Sequence, residues 1–146
     1  MKARERQKGL TSVEFAIVGV FLFVILFAIV EFGRVLFTLN VLQEGARRGA
    51  RVAAVSAPHS TAVADAALFK KESLGDLPAL ENATVEALYL TGDGKTGTQD
   101  MNAMQYVRVS VTAPAITLRI PLVNPTITPP VYSSTLPRES LGVVPD

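Results

Sequence analysis

The chain has 146 residues, 49% of them hydrophobic, with no cysteine and no tryptophan. That length suits one small domain plus one additional element, and the missing cysteine excludes disulfides, Cys-ligated zinc, thiol nucleophiles and iron–sulfur clusters. The net charge of +1 is split unevenly: Lys2, Arg4, Arg6 and Lys8 face only Glu5 at the start, so everything after Gly9 is net acidic and nucleic acid is not an expected partner.

Residues 15–30, FAIVGVFLFVILFAIV, contain no polar side chain, and the run extends back to Leu10 with only Thr11, Ser12 and Glu14 interrupting it. A helix crosses the hydrocarbon layer in roughly 20 mostly apolar residues. A soluble buried helix is rarely apolar on all sides for so long. The basic residues before the run predict a cytoplasmic N-terminus and a translocated C-terminal part, the topology of a single-pass membrane protein. A secretory signal peptide has a core of about 7–15 residues followed by a small-x-small cleavage site. Here the core is longer and continues into IVEFGRVLF, which offers no such site. Lipoprotein processing needs a cysteine, so it is excluded as well. An ordinary uncleaved signal anchor stays open.

Gly9 stands at the boundary between the basic segment and the apolar run, and Glu14 is the fifth residue after it. This arrangement resembles the processing site of type IV prepilins, where a membrane protease cuts after the glycine on the cytoplasmic side and leaves the apolar helix attached. Glycine presents no side chain to obstruct a protease groove, and the cut would free an amino group on Leu10. A carboxylate at the helix entrance is favoured by the helix dipole by up to about 1 kcal/mol, but a charge deeper in the bilayer costs several times that. A partner is therefore needed, and the α-amino group of a neighbouring processed subunit would serve. In the alternative, Glu14 is a solvated first-turn residue in the headgroup zone.

Periodicity persists beyond Val30. On a helix, Val35, Leu39, Leu42, Ala46, Gly49 and Ala53 fall on one side, in steps of four and three. Asn40, Glu44, Arg47, Arg48 and Arg51 gather opposite, and Glu44 reaches Arg47 and Arg48 at the supporting three- and four-residue spacings. No proline precedes Pro58. One continuous helix over 11–55 follows, roughly 65 Å long at 1.5 Å per residue. Its apolar side shrinks from Val and Leu to Ala and Gly, which lets another backbone approach closely. The occupant of that stripe is either the chain's own C-terminal module or a second subunit. Gly45-x-x-x-Gly49 fits the small-x-x-x-small pattern, but it lies outside the expected bilayer.

SVEFAIV at 12–18, VEFGRVLF at 30–37 and QEGARRGARVAA at 43–54, in this order and spacing, resemble TadE-like proteins, minor pilins or pseudopilins of the tight-adherence (Flp-type) pilus system. LTSVE follows the TadE-like style of start rather than the Phe-led start of type IV pilins. The resemblance implies an inner-membrane, pilin-like subunit, cut by a dedicated prepilin peptidase and working with other pilin-like subunits and the pilus assembly machinery. It leaves open whether the chain polymerises.

Pro58 in SAPHST breaks the long helix. A second helix is expected from Ser60 or Thr61, natural N-caps, to Leu74, with Gly75 as its stop, followed by a connector, DLPALENA. TVEALYL at 84–90 reads as a strand, 91–105 as a Gly-rich mobile hairpin loop, and YVRVSVTA at 106–113 as the clearest strand. Six of the nine prolines fall within 114–137, so strands there must be short or at an edge. PVYSSTL at 130–136 is a candidate final edge strand. The fold class is α+β: a long N-terminal transmembrane helix extending out of the membrane, then a small module with one helix and about three antiparallel strands. The expected division is a leader at 1–9, the membrane helix at 10–30, its extracytoplasmic continuation at 31–56 and the module at 57–146.

No catalytic constellation is present, and no enzyme activity, cofactor or metal is expected. GDGKTG invites a phosphate-loop reading, but the required glycine five residues before Gly94 is Tyr89, and no helix follows directly. Asp93 and Asp100 lack calcium-loop spacing. His59, the sole histidine, has no evident nucleophile partner and reads as a solvated turn residue. The competing function is an unprocessed single-pass adaptor whose extracytoplasmic module binds a partner.

Overall fold

The computed structural model describes residues 3–70 and 77–138, with side chains from Leu10 onward. It begins with one α-helix, α1 (Ala3–Val55). The helix ends where expected: the Ser56 N–H still bonds the Val52 carbonyl, and Pro58 then forces the preceding residue out of helical geometry. His59 takes a left-handed backbone, φ 62°. At the other end α1 runs through Gly9 without a break, and it starts earlier than the sequence suggested. The first two residues of the expected leader lie outside the described residues.

The chain divides into two units. One comprises the residues up to Leu36 together with Thr117–Ile127. Within it, side chains from Leu10 to Val30 stand exposed almost all round, Phe15 at 78% and Val30 at 70%. The second segment is a hairpin. Its short strands, β3 (Ile116–Thr117) and β4 (Thr126–Ile127), pair with each other, and the Leu118 N–H donates to the Pro125 carbonyl at 2.8 Å. The hairpin closes on Pro121-Leu122, with the Val123 N–H on the Ile120 carbonyl at 3.1 Å. Leu122 has φ 75°, a position that glycine or asparagine would hold with less strain.

The other unit comprises Phe37–Ile116 and the chain from Thr128. Its sheet has the order β1-β2-β5, all antiparallel. The strands are β1 (Thr84–Leu90), β2 (Tyr106–Thr112) and β5 (Tyr132–Pro137). Register places Val85, Ala87 and Tyr89 opposite Val111, Val109 and Val107, and Tyr132, Ser134 and Leu136 on the other flank of the same three valines. β2 is central and its valines are fully buried, as its strict alternation requires. β5 is an edge and tolerates Pro137 there. The buried face meets the alanine-rich end of α1: Ala50, Ala53 and Ala54 cluster with Val63, Tyr89, Val107 and Val109, while Val41, Leu42 and Ala46 cluster with Ala67, Phe69, Leu77, Leu80 and Val111.

The second helix, α2 (Thr61–Ala67), is shorter than expected. Ser60 caps it, its hydroxyl accepting from the Ala62 N–H at 3.3 Å. Val63 and Ala67 face the core, but the next positions on that face are lysines. Phe69 is buried instead by leaving the helix with φ 53°. The expected stop, Gly75, lies outside the described residues. The connector holds a single helical turn, α3 (Pro78–Glu81), which starts at a proline and buries Ala79 and Leu80.

Candidate membrane anchor and helix-packing face

Leu10–Val55 contains a stretch long and apolar enough to cross a membrane, and none of that stretch is buried within the protein. Gly9 lies within the helical run and Leu10 is exposed. Glu14 is an exposed residue one turn further on, at the start of the apolar surface. The three sit along less than two turns of one helix. Groups of His, Asp and Glu able to hold a metal are absent among the described residues.

Glu31 is the first charged residue after the apolar run. Its Oε1 accepts from Arg34 Nη2 at 2.6 Å and from the Arg119 N–H at 2.9 Å, while Oε2 accepts from Arg34 Nε at 3.2 Å. Arg34 Nη2 also donates to the Thr117 carbonyl at 3.2 Å. The Arg34 hydrogen bonds, then the Arg119 N–H, hold the Glu31 carboxyl below the ordinary carboxylate range, against the opposing effect of burial. The Glu31–Arg34 ion pair thus tethers the 117–127 hairpin to the helix. Glu31 and Arg34 carry a signal legible in the residues alone, opposite charges three apart directly after an apolar run, though not one that foretells the hairpin.

Further along α1, Val35, Leu42, Ala46, Gly49 and Ala53 are buried and Leu39 is half-buried. Thr38, Val41, Gly45, Ala50 and Ala54 are buried beside them, so the covered arc is wider than a single stripe. From Val41 onward the occupant is the chain's own α2 and sheet. A β-carbon on Gly45 would collide with the Ala67 carbonyl oxygen, and one on Gly49 would lie 2.9 Å from Val109 Cγ1 and 3.0 Å from Ala67 Cβ. The Gly45–Gly49 pair is therefore the seat of α2, a role that small-x-x-x-small spacing outside a bilayer did not reveal.

On the opposite side Glu44 lies 3.9 Å from Arg47 and 3.7 Å from Arg48, and the Arg48 guanidinium stacks 4.4 Å over the Phe69 ring. Arg48, Arg51, Val52, Ala62, Asp65, Ala66 and Phe69 line an open groove of about 450 Å³. The 91–105 segment is organised by Asp93, whose carboxylate accepts from the Thr91 and Thr96 hydroxyls and the Lys95 and Thr96 N–H groups. Those donors, Thr96 foremost, hold Asp93 well below the usual carboxylate range. The Gly-Lys-Thr stretch is thus a turn wrapped around an internal carboxylate and leaves no cradle for a phosphate. His59 is exposed, its N–H 3.3 Å from the Tyr89 hydroxyl and its ring edge-on to Tyr89 at 5.7 Å.

Residues 9–51 match the model of a protein family described as TadE-like protein. No curated protein and no solved structure matches the chain.

Proposed function

We propose, for a chain that residues 9–51 mark as a TadE-like and hence pilus-related protein, that it is a minor pilin or pseudopilin of a tight-adherence pilus. In this reading residues 10–30 hold it in the bacterial inner membrane, the N-terminus is cytoplasmic and the module is extracytoplasmic. A prepilin peptidase removes residues 1–9, and Glu14 pairs with the new α-amino group of a neighbouring subunit. The observation that carries the reading is the two-part surface of α1: exposed and apolar all round over 10–30 with one carboxylate near its start, then buried on one broad side by its own module. A helix built that way leaves its membrane half free for other apolar helices. The TadE-like family is not an enzyme family.

The adaptor reading has one observation in its favour, the unbroken helix through Gly9. A protease takes its substrate extended, so the helix must open there, and glycine lowers that cost by about 1 kcal/mol relative to alanine. Intact-mass and N-terminal analysis of protein extracted from membranes of a host with the peptidase decides between them. Leu10 as first residue is the outcome for the pilin reading, and a chain still beginning at Met1 is the outcome for the adaptor.

A further inference from the structure

The 117–127 hairpin carries an apolar tip that nothing in its unit covers. Leu122 is 89% exposed and Val123 58%, with Pro121 exposed between prolines and short strands. The tip places a leucine at a left-handed position, φ 75°, where a turn in water would hold glycine or asparagine. Its direction follows from its tether. Thr117 meets Arg34 and Arg119 meets Glu31, so the first arm of the hairpin runs antiparallel to α1, back toward the 10–30 segment. At about 3.3 Å per strand residue against 1.5 Å per helical residue, the step or two from Arg119 to the turn at Pro121-Leu122 brings the tip several helical positions below Glu31. An independent mark agrees: Val24 and Ala28 are half-buried on the strip that continues through Glu31 and Val35, whereas Phe23, Ile25, Leu26, Phe27, Ile29 and Val30 are exposed.

We propose that the Ile120–Val123 tip is a second membrane contact, inserted into the interfacial zone of the leaflet where α1 leaves the bilayer. The proposal rests on the reading of 10–30 as a membrane helix. The occupant of the apolar tip is lipid, because the tip continues the apolar surface of that helix and the boundary between them is polar: the Glu31–Arg34 pair and the exposed Arg119 lie at headgroup level while Leu122 and Val123 lie below it. An amphipathic element of this kind buries its apolar part about 5–10 Å into the headgroup–acyl boundary. Tethered beside the helix, it would fix which side of α1 faces the other membrane helices, something a lone apolar rod cannot do.

Because the chain has no tryptophan, single substitutions report depth directly. Leu122→Trp and, separately, Phe21→Trp are made in the full chain and reconstituted in phosphatidylcholine–phosphatidylglycerol vesicles, with and without bromine along the acyl chains. Val123→Trp repeats the measurement at the neighbouring position in case the first variant folds poorly. Both Leu122→Trp and Phe21→Trp are expected to emit at short wavelength and to lose about half their emission to brominated lipid, as burial below the headgroups requires. Quenching of Phe21→Trp with water-like, unquenched emission from both tip variants overturns the proposal and leaves the membrane helix standing. Blue-shifted but unquenched tip emission that grows with protein concentration overturns it in favour of a second copy as occupant. Absence of quenching in all three overturns the membrane reading and this proposal with it.

Discussion

Replacing Gly45 with alanine tests whether the glycine pair exists to seat α2. In an unconstrained helix the change gains about 1 kcal/mol of propensity. At Gly45 the added methyl meets the Ala67 carbonyl oxygen, a backbone atom that cannot swing aside and that sits among fully buried Leu42, Ala46 and Ala67. Overpacking of this kind costs about 1–3 kcal/mol, and a backbone neighbour puts it near the upper end. The net loss is then about 2 kcal/mol, or roughly 10 °C in Tm for a unit of this size. Gly49 meets side-chain methyls of Val109 and Ala67 instead. These overlaps are smaller than the one at Gly45, so Gly49→Ala should lose about half as much. Gly33 has nothing within 4 Å of an added β-carbon and serves as the control, gaining up to about 1 kcal/mol. The full chain in detergent micelles, followed by scanning calorimetry or near-UV circular dichroism of its tyrosines, gives the comparison. If Gly45→Ala raises Tm as Gly33→Ala does, the close approach of α2 is wrong.

Leu42→Ala, at a fully buried position, should destabilise by about 2–5 kcal/mol in the same assay, and Leu39→Ala, half-buried, by clearly less; equal losses would mean that the covered side of α1 is drawn in the wrong place. The Glu31 carboxyl titrates lower in the folded chain than in the unfolded one, so its contribution is complete above the ordinary carboxylate range and is lost as pH falls through the folded value. Amide exchange of Arg119 should accordingly quicken, relative to its intrinsic rate, on acidification and in Glu31→Gln, and an unchanged protection factor would dismiss the tether. Under the proposed pilin role, Glu14→Ala should leave membrane insertion intact and reduce pilus output, since it removes only the carboxylate proposed to pair with a neighbouring subunit; full output would confine Glu14 to a local role. Ser60→Ala should cost about 1 kcal/mol through the lost cap on α2, read as a Tm shift, and no shift would show that the Ser60 hydroxyl is not what holds Ala62.

Features set by neighbours along the chain could be taken straight from the residues. Uninterrupted apolar composition makes 10–30 a membrane-length helix, Pro58 ends α1 near Val55, and strict alternation places β1 and β2 within a residue of where they lie. Gly9, Glu14 and their spacing are equally matters of local order. Other features depend on atoms far apart in the chain. α2 stops at Ala67 because Phe69 has to reach a core assembled from α1 and the sheet. Gly45 is required by a carbonyl that folding brings from more than twenty residues away. The 117–127 hairpin, split into fragments by its prolines on paper, is held by a carboxylate that stands 88 residues earlier. Periodicity and composition record which face of a segment avoids water. They carry no record of which distant group arrives to cover it, since that is settled only when all the faces are packed together at once.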